Sequence, residues 1–157
     1  MCIFKKYPVK PDTTKLTMIG VDYNKIVTEL ESIGIHIMCT QQPDHRLFNL
    51  NLANSKLLVP FYSYSGEGYV FNPEAPDCND YAKLASAEAA FSHHAVLEVW
   101  GRTPYTSDNN PTGRHAWNLW RVGTGLYKMS EPNAGFLYAG ELFDIGGHGY
   151  YPDSWRI

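Results

Sequence analysis

The sequence predicts an α+β domain in which a central helix packs on an antiparallel β-sheet, and three observations carry that expectation. Strong helix formers crowd residues 78–91, "CNDYAKLASAEAAF", whereas the segments after residue 95 are short, rich in aromatic and β-branched residues, and punctuated by Gly and Pro. Helix first and strands after is the order of a segregated α+β domain rather than of alternating β-α-β units. At helical spacing, Cys78, Ala82, Ala85 and Ala89 form one stripe of small side chains, which lets a sheet approach the helix backbone closely.

The elements follow in order. Asp22 is placed to N-cap a first helix in which Tyr23, Ile26, Val27, Leu30 and Ile33 recur at three and four residues, and Gly34 supplies a left-handed stop. Residues 35–40 read as a strand, and "RLFNLNL" and "KLLVPFYSY" as two more. A Gly/Pro-rich loop follows, "SGEGYVFNPEAPD", of the kind that often borders a site. The central helix opens at Cys78, with Asp77 at the N-cap and Asp80 three residues on, resembling a capping box. Next come "AVLEVW", the polar loop "GRTPYTSDNNPTG", and then "RHAWNLWRV", "LYKMSE" and "FLYAGELF", all expected as strands. Near the C-terminus "FDIGGHGYYPDSW" reads as a surface turn with an aromatic tail anchored by Tyr150, Tyr151 and Trp155, and His148 stays outside the site. No internal repeat or linker divides the chain. Residues 1–157 are expected as one domain, 1–70 supplying the N-terminal helix and strands and 71–157 the core around Cys78.

A chain of 157 residues is long enough to bury a core without metal or disulfide staples. Thirteen basic and sixteen acidic residues give a net charge of −3, and no Lys/Arg cluster is present to track phosphates or an anionic membrane. Nucleic acid and membrane are therefore not expected as partners. The opening residues lack the apolar core of a signal peptide and no later apolar run approaches the roughly 18 residues of a membrane span, so a cytoplasmic protein is expected. Cys2, Cys39 and Cys78 are an odd set without CxxC spacing, which makes free thiols the expectation. A zinc site drawn from Cys78, His93, His94, His115, Asp144 or His148 has no recognised ligand spacing, and adjacent His93 and His94 on a strand point to opposite faces. Neither a metal nor another cofactor is expected.

Chemistry concentrates at Cys78. In the first turn of a helix it sits by unpaired backbone N–H groups and the positive end of the helix dipole, both favouring thiolate over thiol. The charges of Asp77 and Asp80 oppose this, and a helix-opening cysteine is also a common core residue. A thiol nucleophile needs a base, and the base needs an acceptor to fix its tautomer; "GRHAWNLWRVGTGLYKMSEPN" offers His115 and Glu131. Hairpin parity decides whether these two meet. A two-residue loop at Gly123-Thr124 puts them on opposite faces. A three-residue loop, Gly123-Thr124-Gly125 or Val122-Gly123-Thr124, puts them on one face, opposite or diagonal. The alternative is an amphipathic hairpin with a hydrogen-bonded histidine and no chemistry.

Taken together, "DCNDYA", "GRHAWN" and "YKMSEPN" resemble the transglutaminase-like branch of the papain-like cysteine enzymes over residues 77–132, about a third of the chain. There a Cys-led helix start precedes a His-Ala-[aromatic/aliphatic]-Asn strand and then an acidic residue ending the next strand. The resemblance implies Cys78 as nucleophile, His115 as base and then acid, and Glu131 as the third member. Members more commonly carry Asp at that last position; Glu followed by Pro is similar to a variant of small phage and prokaryotic proteins. Asp80 and Tyr81 are implied as groups that fix the helix start, and Trp117 and Asn118 as neighbours packing near the site, though cap and core roles fit all four equally.

What the resemblance implies chemically is attack of the Cys78 thiolate on an amide carbonyl of a peptide, protein or peptidoglycan substrate, with a thioester intermediate released to water or to an amine. The sequence leaves hydrolysis and transfer both open. The competing expectation is a non-catalytic module on the same fold, its aromatic residues forming a ligand platform and its thiol silent.

Overall fold

The computed structural model describes residues 12, 16, 18–38, 46–62, 78–91, 96–106, 111–133 and 135–156. The Asp77 cap, the loop at 65–77, Cys2, Cys39 and the pair His93-His94 lie outside the described residues. The elements in chain order are β1 (Met18–Asp22), α1 (Tyr23–Glu31), β2 (His36–Ile37), β3 (Arg46–Leu50), α2 (Leu52–Leu58) continued by a 3₁₀ turn (Val59–Tyr62), α3 (Cys78–Phe91), β4 (Val96–Arg102), β5 (Arg114–Gly123), β6 (Leu126–Ser130), a 3₁₀ turn (Gly147–Gly149) and β7 (Tyr151–Arg156). Five strands form one sheet in the order β2-β7-β4-β5-β6, and β1 with β3 makes a separate antiparallel pair. The architecture is α+β with a mixed rather than purely antiparallel sheet, because the short β2 joins β7 in parallel.

Helices cover both faces of the sheet. On one, Trp117 and Leu119 of β5 pack with Tyr23, Ile26 and Leu30 of α1, and with Met129, Tyr150 and Trp155. On the other, Trp120 and Val122 pack with Ala85 and Ala89 of α3 and with Leu58, Val59 and Tyr62. The stripe Ala82, Ala85 and Ala89 is buried, which is what small side chains under a closely approaching sheet require. No helix among the described residues is long and apolar enough to cross a membrane.

Local chemistry explains where the elements begin and end. Asp22 caps α1 by accepting from Asn24 N–H at 2.8 Å, and the helix stops at Glu31, ahead of Gly34 at φ +81°. Ile33 therefore falls beyond the buried stripe and is 51% exposed. The stretch expected as a strand at 56–64 is helical as far as Tyr62. Asn51 caps α2 through Asn54 N–H at 2.9 Å, and Leu58, Val59 and Tyr62 bury together at a helical, not an alternating, period.

The expected strand 136–143 is instead a run of turns broken by Gly140 at φ +80°. It touches the sheet at Phe143, which exchanges two backbone hydrogen bonds with Met129 of the edge strand β6. The tail beyond Gly149 is anchored by Tyr150 and Trp155, both buried, while Tyr151 is exposed, and from Tyr151 on it is β7, an interior strand between β2 and β4. Proline in an interior strand needs an irregularity, and the β4–β7 register slips where Gly101 meets Pro152. A Cβ at Gly101 would lie 2.1 Å from the Tyr151 carbonyl oxygen, so that close approach requires glycine.

Candidate active site

The β5–β6 hairpin decides the geometry. Asn118 pairs with Ser130 and Arg121 with Tyr127, but Gly123 pairs with Leu126, so β5 carries one extra residue at the turn and Gly125 adopts φ +61°. The result has the parity of a three-residue connection closed by a left-handed glycine. His115 and Glu131 consequently share a face, diagonal to one another, and His115 Nε2 lies 2.7 Å from Glu131 Oε2.

Cys78 arrives from the other layer. Asn118 donates from Nδ2 to the Ala82 carbonyl at 2.9 Å and to Ser86 Oγ at 3.1 Å, which locks α3 along β5. Cys78 is one turn before Ala82 and so reaches the end of the sheet where β5 begins and β6 ends. There it comes near enough to His115 across the rim to raise the imidazole. With Nε2 committed to Glu131, Nδ1 is the nitrogen left for the sulfur. Cys78 is half-buried, and its Sγ also lies 3.5 Å from Asn79 Oδ1.

Burial opposes charging of His115, which is only 6% exposed, but hydrogen bonds to Cys78 and Glu131 and their charges outweigh it and hold the imidazole up to about 9. Glu131 is fully buried. Its Oε1 accepts from Asn133 N–H at 2.9 Å, and its Oε2 accepts from Tyr150 OH at 3.1 Å as well as from His115. Aromatic rings enclose the imidazole: Trp117 stacks at 6.0 Å between centroids, Phe136 lies at 4.7 Å, and Tyr150 stands edge-on at 6.1 Å. Trp117 is itself pinned by Nε1–H donating to Met129 Sδ at 3.0 Å.

Of the remaining residues singled out in the sequence, Tyr81 is buried in the first turn of α3 and Asp80 is exposed there. Asp144 pairs with Lys128, and His148 stacks on Tyr138 at 3.5 Å. Among the described residues no three His, Cys, Asp or Glu side chains gather as a metal site. Tyr150, Phe136 and Tyr105, which line the His115–Glu131 pair, escaped the sequence reading. Tyr150 and Phe136 fall in stretches read as a tail and a strand, and no local pattern marks any of the three.

The arrangement joins a thiol, a base hydrogen-bonded to it, and a buried carboxylate that fixes the base, which are the parts nucleophilic acyl chemistry needs. Comparison with known protein families, curated proteins and solved structures finds no match to this chain.

Proposed function

We propose that this protein is a thiol-dependent acyl-transfer enzyme acting on amide bonds, built as a transglutaminase-like variant of the papain-like architecture, with Cys78, His115 and Glu131 as its triad. The observation that carries the proposal is the placement of one buried imidazole between a helix-opening thiol and a fully buried carboxylate. A buried Glu131 that accepts from three donors is a fixed electrostatic partner for an imidazolium, not a solvated surface acid.

In the first step the Cys78 thiol gives its proton to His115 Nδ1 as its sulfur attacks the carbonyl carbon, the C=O π pair moves to oxygen, and the Cys78 backbone N–H at the α3 terminus faces the developing oxyanion. As the tetrahedral species collapses the C–N bond breaks, and His115 Nδ1–H delivers its proton to the departing amine. The thioester left on Cys78 is then attacked by water or by an acceptor amine, which gives its proton to His115; the second tetrahedral species collapses with the C–S bond breaking, the acyl product leaves, and the Cys78 sulfur takes the proton back from His115. Glu131 keeps Nε2–H oriented throughout. The aromatic rings around His115 limit water at the imidazole and support peptide or side-chain amide substrates over charged small molecules.

Incubation with an electrophilic peptide amide analogue, followed by mass spectrometry, tests the reading. A single covalent adduct at Cys78 in the folded chain, lost in Cys78→Ser and in His115→Ala, supports it. A native chain that takes up no adduct until denatured makes Cys78 a core thiol and leaves a binding module in place of the enzyme.

A further inference from the structure

The carboxylate that orients His115 is itself held. Tyr150 OH donates to Glu131 Oε2 at 3.1 Å, and that same oxygen receives His115 Nε2–H. A phenol has one proton, so with it committed to Glu131 the oxygen of Tyr150 can only accept. Tyr105, half-buried in the segment after β4, stands edge-on to Tyr150 with ring centroids 6.0 Å apart. Tyr150 therefore reaches Glu131 Oε2 as a second donor beside His115.

We propose that Tyr150 is a positioning residue for this site: its hydroxyl fixes the rotation of the Glu131 carboxylate so that Oε2 remains in line with His115 Nε2. The role rests on the acyl-transfer reading above. The ring of Tyr150 packs edge-on against Trp117 and Phe143, each at 5.1 Å, which Tyr150→Phe preserves while deleting only the donor. Burial first, and then the Glu131 charge, push the Tyr150 phenol far above its ordinary range, so it remains a donor at any pH at which the chain is folded.

The test measures second-order alkylation of Cys78 by iodoacetamide, together with the NMR titration of His115, in the full chain and its variants. Tyr150→Phe is expected to slow alkylation at neutral pH about tenfold, in keeping with the loss of one hydrogen bond to a buried charge. It should also shift the His115 midpoint downward, because the Glu131 carboxylate is then free to turn away from Nε2, with the melting temperature little changed. A wild-type rate and midpoint in Tyr150→Phe, alongside labelling that depends on His115, overturn the positioning role alone. Labelling indifferent to His115→Ala as well overturns the acyl-transfer reading and this role with it.

Discussion

Two buried sites on one face of β5 share a wiring plan and differ in one component. At the start of the strand His115 bonds Glu131, whose Oε2 also accepts from Tyr150. Six residues on, Arg121 bonds Glu29 through Nε and Nη2, both at 2.8 Å, and Glu29 Oε2 also accepts from Tyr127 at 2.7 Å. Each site is a cation on β5, a carboxylate, and a tyrosine on the same carboxylate oxygen. In both, burial first and then the carboxylate push the phenol upward. Arg121 cannot lose its proton, so its site can only hold α1 to the sheet. His115 can, and it has a thiol as its other partner. A titratable cation beside a thiol, unlike a permanent one, is what the proposed acyl-transfer chemistry needs to move a proton.

The sharpest way to break this comparison is to delete each cation. His115→Ala is expected to reduce amide turnover to the level of Cys78→Ser, about a thousandfold or more below the unmodified chain, with the fold retained. Arg121→Met, which strips Glu29 of its partner, should cost about 3 kcal/mol of stability, lowering the melting temperature by roughly 6–12 °C while turnover per folded molecule is unchanged. Loss of activity in folded Arg121→Met would erase the distinction between the two sites. Replacing the carboxylates sharpens it. Glu131→Gln retains an acceptor but loses the charge, and its turnover is expected to fall about 10²- to 10⁴-fold yet stay above that of Cys78→Ser, whereas Glu29→Gln leaves turnover intact.

The two sites also act at opposite ends of the pH range. Arg121 first, then Tyr127 against the opposing effect of burial, holds Glu29 down to about 2 from 4.5. Its contribution to stability is therefore full above about 4.5 and is lost as pH falls through about 2. His115 is raised from 6.5 to about 9, so its contribution is full below about 6.5 and is lost as pH rises through about 9. Melting temperature followed from pH 2 to 10 should drop at both ends, with the acid drop blunted in Glu29→Gln and the alkaline drop blunted in His115→Ala. The smallest effect is expected at the turn that sets the parity. A Cβ at Gly125 meets nothing within 4 Å, so Gly125→Ala adds only the strain of φ +61°, about 1 kcal/mol, and leaves alkylation of Cys78 as it was.

Local signals were enough for some of this. The cap at Asp22, the stop at Gly34, the small stripe of α3 and the three strands β4, β5 and β6 all follow from residues within a turn or a hairpin of each other. The sequence named His115 and Glu131 as partners but left the hairpin parity open, and the extra residue of β5 at the turn is what puts them on one face. What lay beyond reach depended on distant partners. The Glu29–Arg121 pair spans 92 residues, and Tyr150 is 19 residues from Glu131, just ahead of β7, in a stretch whose paired glycines and Pro152 made it look like a tail. The helix at 52–62 was hidden for a different reason: "LLVPFY" is apolar and partly β-branched enough for a strand, and only its burial against α3 and β5 selects the helical period. The turns at 136–143 depend on Phe143 docking on the edge of β6, a contact no local pattern marks.

The direct measurement is the NMR titration of the His115 ring in the folded chain, repeated in Cys78→Ser. With Cys78 and Glu131 both bonded to it, the imidazole is expected to titrate near 9, and Cys78→Ser should lower that midpoint by removing one of the two partners that raise it. A midpoint at the ordinary 6.5, unmoved by Cys78→Ser, would mean that thiol and imidazole do not communicate, and would contradict the triad.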